Sequence, residues 1–563
     1  MPDLTTLKGV GVSPGVGAGP VVRVVDSVPE PKQGPGAGTP QEEYESAVKA
    51  LGDVAADLED RGQRAGGEAQ HVLEAQAMMA RDPDLATGIK QRTETGTNAA
   101  RATYEAFGVT RDMLLTLGEY FAARVTDLDD IRNRTIALLL DVPAPGIPEL
   151  KEPSVLVALD LAPADTALID KSMVLAFATQ EGGPTSHTSI LARNLGIPAV
   201  VGCPGVRELA PGTRVLVDGS EGRVVIDPPD DLVAELAGHD AKRRAALAAV
   251  GNAPGRTADG HPVPLLANIG GPDDVTKALD NGAEGVGLFR SELLFLDRND
   301  APTEEEQYGL YRAVLEGFRG RKVVVRTLDA GADKPLPFLP FGEEPNPAMG
   351  VRGLRICMQA PDILATQLTA LARAAEGLDT ELWVMAPMIA DVYEAQWFKE
   401  ACESAGLGGA KIGTMVEIPA AALRARHLGQ VAEFFSIGSN DLTQYTFAAD
   451  RQIGAVARLQ NAWQPAILDL VEATTEGGSV NGIPTGVCGE AASDPALACV
   501  LVGLGVNTLS MSAGALPGVR AALAAHTLDE CKEAAAAARD AVDADAAKAA
   551  ARASLPKLEA LGL

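Results

Sequence analysis

Arginines, carboxylates and a thiol recur at the ends of short apolar runs in the C-terminal half of this 563-residue chain. They are Asn268, Arg290, Glu292, Arg326, Asp329, Glu417, Asn440, Asp441 and Cys488, with Arg451 shortly beyond. A guanidinium grips a carboxylate or a phosphate through paired, charge-assisted hydrogen bonds. Glu417 and Asp441 are hard oxygen donors, and magnesium commonly takes one or two of these and leaves its other positions to substrate and water. Arginine and magnesium together neutralise charge on a transferring phosphoryl group, so the set suits a small, multiply charged anion held with a metal. The same residue types would also make a ring of structural salt bridges, and the residues alone leave that reading open.

A second stretch carries different chemistry. Residues 182–193 read GGPTSHTSILAR, which puts His187 among hydroxyl side chains at the start of a helix-like run. Hydroxyls and free helix N–H groups donate well to phosphate oxygens. Neutral imidazole is a nucleophile near pH 7. A phosphorylated histidine would be stabilised in such a place, although a histidine in a Ser/Thr-rich turn also serves as a capping or packing residue. His71, His239, His427 and His526 fall in helical, alanine-rich settings and read as surface or boundary residues, while His261 lies in a glycine-flanked loop.

The elements that must position these groups follow from periodicity. From residue 261 onward, eight β-like runs alternate with helical stretches: 264–269, 285–290, 323–328, 382–388, 411–417, 434–438, 484–488 and 507–511. That rhythm predicts a (β/α)8 barrel over 261–563, whose catalytic residues belong at the C-terminal strand ends. The polar residues named above fall at those ends. Residues 1–25 and 141–227 show short valine-rich runs bounded by Gly, Pro and Asp, which predicts an α/β domain around His187. Residues 26–140 are rich in Ala, Glu, Asp and Arg with apolar residues at three- and four-residue steps, which predicts an inserted helical subdomain with an acidic face. Residues 228–260, a charged run ending in a Pro/Gly break, read as the linker.

Bulk composition excludes several classes. The formal net charge of −28 repels nucleic-acid backbones and anionic membranes and would attract a basic protein partner. No apolar run approaches the ~18 residues of a membrane span, and the N-terminus lacks the pattern of a signal peptide. The six cysteines are scattered without CxxC pairs, which fits a reducing cytoplasm.

Residues 183–202 resemble the phosphohistidine motif shared by the phosphoenolpyruvate-utilising enzymes: Enzyme I of the bacterial sugar phosphotransferase system, pyruvate phosphate dikinase and phosphoenolpyruvate synthase. Residues 281–292 (NGAEGVGLFRSE), 325–329 (VRTLD), 415–419 (MVEIP) and 435–445 (FSIGSNDLTQY) resemble their phosphoenolpyruvate-binding barrel. The dikinase and synthase also carry a large ATP-grasp region, for which this chain has no room. Its helical insertion, with residues 74–85 and 120–131, resembles the carrier-docking surface of the Enzyme I family.

The resemblance implies that His187 is phosphorylated through Nε2 and that Arg290, Arg326 and Arg451 grip phosphoenolpyruvate. Asn440 and Asp441 would contact the substrate, with Lys334 and Arg352 assisting. Glu417 and Asp441 would ligate Mg2+, and Cys488 would protonate the enolate to give pyruvate. The phosphocarrier protein HPr is the implied acceptor. A homodimer through the barrel is also implied, and apolar helices such as 516–528 offer a face for it. The chain departs from the family pattern at 459–465 and at Gln76, where some relatives have histidine.

Overall fold

In the N-terminal unit, Met1–Asp240, eight strands form one sheet. They are β1 (Thr6–Lys8), β2 (Val10–Ser13), β3 (Val16–Arg23), β4 (Ser154–Ala158), β5 (Val174–Thr179), β6 (Ala199–Val201), β7 (Arg214–Asp218) and β8 (Arg223–Ile226). Their order is β1-β8-β7-β3-β4-β5-β6-β2. The stretch β3-β4-β5-β6 is parallel and the remaining pairings are antiparallel. The computed structural model describes residues 5–25, 28–65, 67–116, 125–148, 150–161, 169–170, 172–183, 187–296, 298–331, 336–339, 344–450 and 454–563, with the backbone alone at 64, 65, 67–72, 115, 116, 126, 187, 190, 194, 454, 455 and 457. Glycine is needed where β3 passes β5, because a Cβ on Gly17 would stand 2.2 Å from the Leu175 carbonyl oxygen.

Between β3 and β4 the chain leaves the sheet for the helices Pro40–Ala65, Gly67–Ala80, Pro83–Glu94, Ala99–Thr116 and Val125–Leu140. These close around their own core of Leu51, Leu58, Leu85, Ile89, Phe107 and Ile131. Gln76 is buried there, and its amide donates to Asp127 Oδ1 at 2.7 Å, tying helix Gly67–Ala80 to helix Val125–Leu140. Residues 120–124 of the expected docking segment lie outside the described residues.

The C-terminal unit, Ala241–Leu563, is built on a closed barrel of eight parallel strands. These are β9 (Leu265–Ile269), β10 (Gly285–Arg290), β11 (Lys322–Arg326), β12 (Glu381–Ala386), β13 (Lys411–Val416), β14 (Phe435–Ile437), β15 (Thr485–Val487) and β16 (Thr508–Met511). Each of the eight runs expected from the sequence is a strand of this barrel. β16 pairs back onto β9 and closes it.

Strand periodicity divides the side chains between two cores. Val323 and Val325 of β11, Leu382 and Val384 of β12, and Ile412 and Val416 of β13 join the large core outside the barrel. Val324, Trp383, Met385 and Met415, together with Leu288, Phe434 and Cys488, form a separate cluster within it. Stepping two residues on from Val324 and from Met415 reaches Arg326 and Glu417. The alternation that fills the barrel's middle therefore also aims these two ionisable groups inward at its C-terminal end.

Two expectations are corrected here. His526 is not a surface or boundary residue: it is fully buried, with Nδ1 2.8 Å from the Ala522 carbonyl oxygen. Helix Leu516–Ala525 offers no free apolar face, because Leu516, Val519, Ala522 and Leu523 are already buried within the chain. Arg520 of the same helix is buried as well and donates to the Gly251, Asn281 and Gly282 carbonyls. No helix among the described residues is long and apolar enough to cross a membrane.

The barrel interior leaves little slack. A Cβ on Gly413 would meet the Phe434 ring at 2.4 Å, and that ring packs 4.6 Å from Trp383. Gly413→Ala is therefore expected to cost about 1–3 kcal/mol of barrel stability by overpacking, measured as a lower midpoint of the barrel's transition in chemical denaturation.

Candidate active site

Charged side chains meet at the C-terminal mouth of the barrel, and nearly all of them are buried. Arg326, the last residue of β11, pairs with Glu292 through Nη2 and with Asp329 through Nη1 at 2.9 Å. Arg352, from the loop after β11, reaches Asp329 at 3.4 Å through both Nε and Nη2. Its two terminal nitrogens also hold both oxygens of Asp441, at 3.0 and 3.2 Å. Tyr445 completes this corner: its hydroxyl accepts from Arg352 Nη1 at 3.0 Å and donates to the Ala348 carbonyl. Asp441 and Tyr445 lie one turn apart on helix Ser439–Phe447, so both face the same side of it.

A line of buried polar groups fixes Arg326 from behind. The Ser291 hydroxyl donates to the Arg326 carbonyl at 2.6 Å and accepts from Gln367 Nε2 at 3.0 Å. The same amide donates to the Tyr311 hydroxyl at 2.9 Å, and Gln367 Oε1 accepts from the Leu328 N–H at 2.9 Å. These contacts set the strand end and the loop after it independently of any ligand.

Glu417 follows β13 and is fully buried. Its Oε1 accepts from the Met388 N–H at 2.6 Å. Met388 adopts φ +61°, a left-handed conformation that an unbranched side chain takes only at a cost, and this turns its N–H toward the carboxylate. Burial first, then repulsion from Asp441 and Asp329, pushes the Glu417 pKa above the usual carboxylate range, against the pull of Arg326 and Arg352. On Arg326 itself burial opposes the charge, and Asp329, Glu292 and Glu417 outweigh it, so the pKa is raised.

Cys488 follows β15 with its thiol buried and donating to the Ile437 carbonyl at 3.5 Å. Burial pushes its pKa up to about 11 even though Ser436, Arg326 and Arg290 pull it down. The thiol is thus a proton carrier at neutral pH. Asn268 Nδ2 donates to the Cys488 carbonyl at 3.4 Å, and Asn440 Oδ1 accepts from the Glu490 N–H at 3.2 Å, so both amides brace the same strand end. Arg290 is exposed at the end of β10.

Of the residues singled out in the sequence, Arg326, Arg352, Glu417, Asp441 and Cys488 come together, with Arg290 close enough to act on the thiol. Lys334 and Arg451 lie outside the described residues, as does the side chain of His187. His187 opens the helix His187–Leu195, in the unit that does not contain the barrel. Its neighbour Thr188 is buried and donates to the Asp160 carboxylate after β4, while accepting from the Leu161 N–H at 3.1 Å. That contact pins the helix start to the C-terminal end of β4. Tyr445, Met388 and Gln367 were not expected. Only Tyr445 left a signal, its four-residue spacing from Asp441.

The donor set fits a divalent cation. Glu417 and Asp441 are hard oxygen donors, and the carboxylates around them repel one another, which a cation would relieve. Among the described residues no group of three or more His, Cys, Asp or Glu side chains is arranged to hold a metal. Two carboxylates of this kind would leave the remaining positions of a hard divalent cation to substrate oxygens and water.

Arg352→Met leaves Asp329 and Asp441 buried beside each other without their shared cation. The expected cost is about 3–5 kcal/mol of barrel stability, read from denaturant unfolding, against about 1 kcal/mol for Tyr445→Phe, which removes one hydrogen-bonding group.

Comparison with known proteins agrees in every part of the chain. The family description "PEP-utilising enzyme, PEP-binding domain" matches residues 244–528, "PEP-utilising enzyme, mobile domain" matches 150–222, and "PEP-utilising enzyme, N-terminal" matches 8–124. The chain is 60% identical over 554 residues to the phosphoenolpyruvate-protein phosphotransferase of Streptomyces coelicolor, covering 98% of this chain and 99% of that one. It is 39% identical to the protein of that name from Haloferax volcanii, with 92% of this chain and 94% of that one covered. The Staphylococcus carnosus protein of the same name is also 39% identical, with 83% and 84% covered.

Proposed function

Because the chain belongs to the phosphoenolpyruvate-utilising enzymes, as a member of the phosphoenolpyruvate-protein phosphotransferase (Enzyme I) family, we propose that it phosphorylates its own His187. Pyruvate is released, and the phosphoryl group passes on to a histidine of the carrier HPr as the first step of sugar uptake. The observation that carries this reading is the convergence at the barrel mouth of two buried arginines, two carboxylates suited to a metal, and a thiol kept protonated by burial.

In this mechanism Arg290, Arg326 and Arg451 bind the carboxylate and phosphate of phosphoenolpyruvate, with Asn440 contributing a contact and Lys334 assisting. Glu417 and Asp441 would hold magnesium, which would supply charge neutralisation on the transferring phosphoryl group. Arg352 positions Asp441 through its double contact with that carboxylate. The His187 imidazole attacks phosphorus in line and the enolate leaves. Cys488 then gives its proton to carbon 3, and the resulting pyruvate departs. The thiol's raised pKa sets the sign of its pH dependence. The acid form is present through the neutral range and is lost only as pH rises toward about 11.

His187 serves both the barrel and the carrier, so the phosphohistidine domain (1–25 and 141–227) swivels on the linker 228–260 between them. The inserted subdomain 26–140 supplies the carrier's docking surface, on which Met78 stands exposed. The barrel domain 261–563 provides the homodimer contact, and the protein acts in the cytoplasm.

Incubating the protein with labelled phosphoenolpyruvate, magnesium and no ATP is expected to give acid-labile label, and His187→Ala is expected to give none. Label that survives His187→Ala would remove this residue from the mechanism. Cys488→Ala should slow pyruvate formation by about 10²-fold or more, the usual yield of a positioned acid. Carrier affinity is expected to fall as salt rises, because an acidic surface attracts its partner through a screened field. Isothermal titration of HPr at low and high ionic strength checks this, and equal affinities would count against it.

A further inference from the structure

The floor of the barrel holds a cluster that phosphoryl transfer does not use. Lys322 opens β11 and Lys411 opens β13, with Trp383 between them on β12. Register brings the three together, since Lys322 pairs with Glu381 and Trp383 pairs with Lys411. Lys322 Nζ lies 4.4 Å from the centre of the indole, and Lys411 Nζ lies 4.6 Å from it. Glu381 accepts the indole N–H at 2.8 Å. A small cavity opens beside them, lined by Lys322, Trp383, Phe434, Ser436, Thr508 and Ser510.

Two ammonium groups on one indole, with Glu381 as the nearby carboxylate, are an unusual use of charge in so acidic a chain. Lys322 is half-buried while Lys411 is exposed. Burial, aided by the Lys411 charge and opposed by Glu381, lowers the Lys322 pKa to about 8. Desolvation and a neighbouring cation are the two devices that turn a lysine into a nucleophile near neutral pH.

We propose that Lys322 is an acyl-acceptor site, modified by small acyl phosphates whose phosphate group is drawn in by Lys411. The lone pair of Nζ attacks the acyl carbonyl carbon and a C–N bond forms. The carbon–oxygen bond to phosphate breaks, inorganic phosphate leaves with the electron pair, and the amine's proton passes to solvent. The product amide removes one of two mutually repelling charges and leaves an acyl group next to the Trp383 ring.

The test uses the intact, unaltered protein with acetyl phosphate at pH 8, following acetylation of each lysine by mass spectrometry over time. Lys322 is expected to react about tenfold faster than the exposed Lys49 and Lys548, because a much larger share of it is unprotonated. Lys411→Gln should slow Lys322 several-fold without slowing Lys49, and Lys411→Arg should restore most of the rate, a pattern that desolvation and a neighbouring charge dictate. Acetylation of Lys322 no faster than of Lys49 and Lys548 overturns the proposal and leaves the two lysines as packing partners of Trp383. So does a Lys322 rate indifferent to Lys411→Gln.

Discussion

Carboxylates buried side by side drive one another toward protonation or out of the protein, and at the barrel mouth Glu292, Asp329, Glu417 and Asp441 are held in place because Arg326 and Arg352 lie among them. Asp329 is the hinge of this array, since it contacts both guanidiniums. Each guanidinium reaches a further carboxylate, Glu292 from Arg326 and Asp441 from Arg352. A buried charge left without its partner costs several kcal/mol, so no member of the set is independent of the others.

The surrounding fold serves that constraint. Ser291, Gln367 and Tyr311 hold the backbone from which Arg326 projects, and the left-handed Met388 gives its N–H to Glu417. Helix Ser439–Phe447 presents Asp441 and Tyr445 to Arg352 from a third direction. Such support fixes the groups before substrate arrives, so that little reorganisation remains for the reacting state. The surplus of acid in this arrangement would suit a divalent cation, and the arginines keep positive charge in it for an anion.

The barrel interior is graded along its axis. Arg326 and Glu417 stand at the mouth, Val324, Met385 and Met415 fill the middle, and Lys322, Lys411 and Trp383 form the floor. One strand, β11, supplies all three levels at two-residue steps. The apolar middle makes the barrel a packed core rather than a passage, so the charges at its two ends belong to separate environments.

Much of this was legible in the sequence because it depends on local pattern. Short β-branched runs alternating with helical periodicity specified eight strands, and polar residues at the run ends marked Arg326, Glu417, Asp441 and Cys488. What the sequence could not state was which of these groups touch. Arg352 reads from the sequence as an assistant to substrate binding, and only the fold shows its hydrogen bonds to Asp329, Asp441 and Tyr445. His526 and helix Leu516–Ala525 look exposed in an alanine-rich text, and tertiary packing buries them. The Lys322–Trp383–Lys411 cluster was invisible, since its members lie far apart in the chain and only parallel register sets them side by side. Residue types and spacing determined the elements and the chemistry available to them. Barrel closure and strand register decided which charges share a buried volume, because pKa values and ion pairs depend on distances that a linear order does not contain.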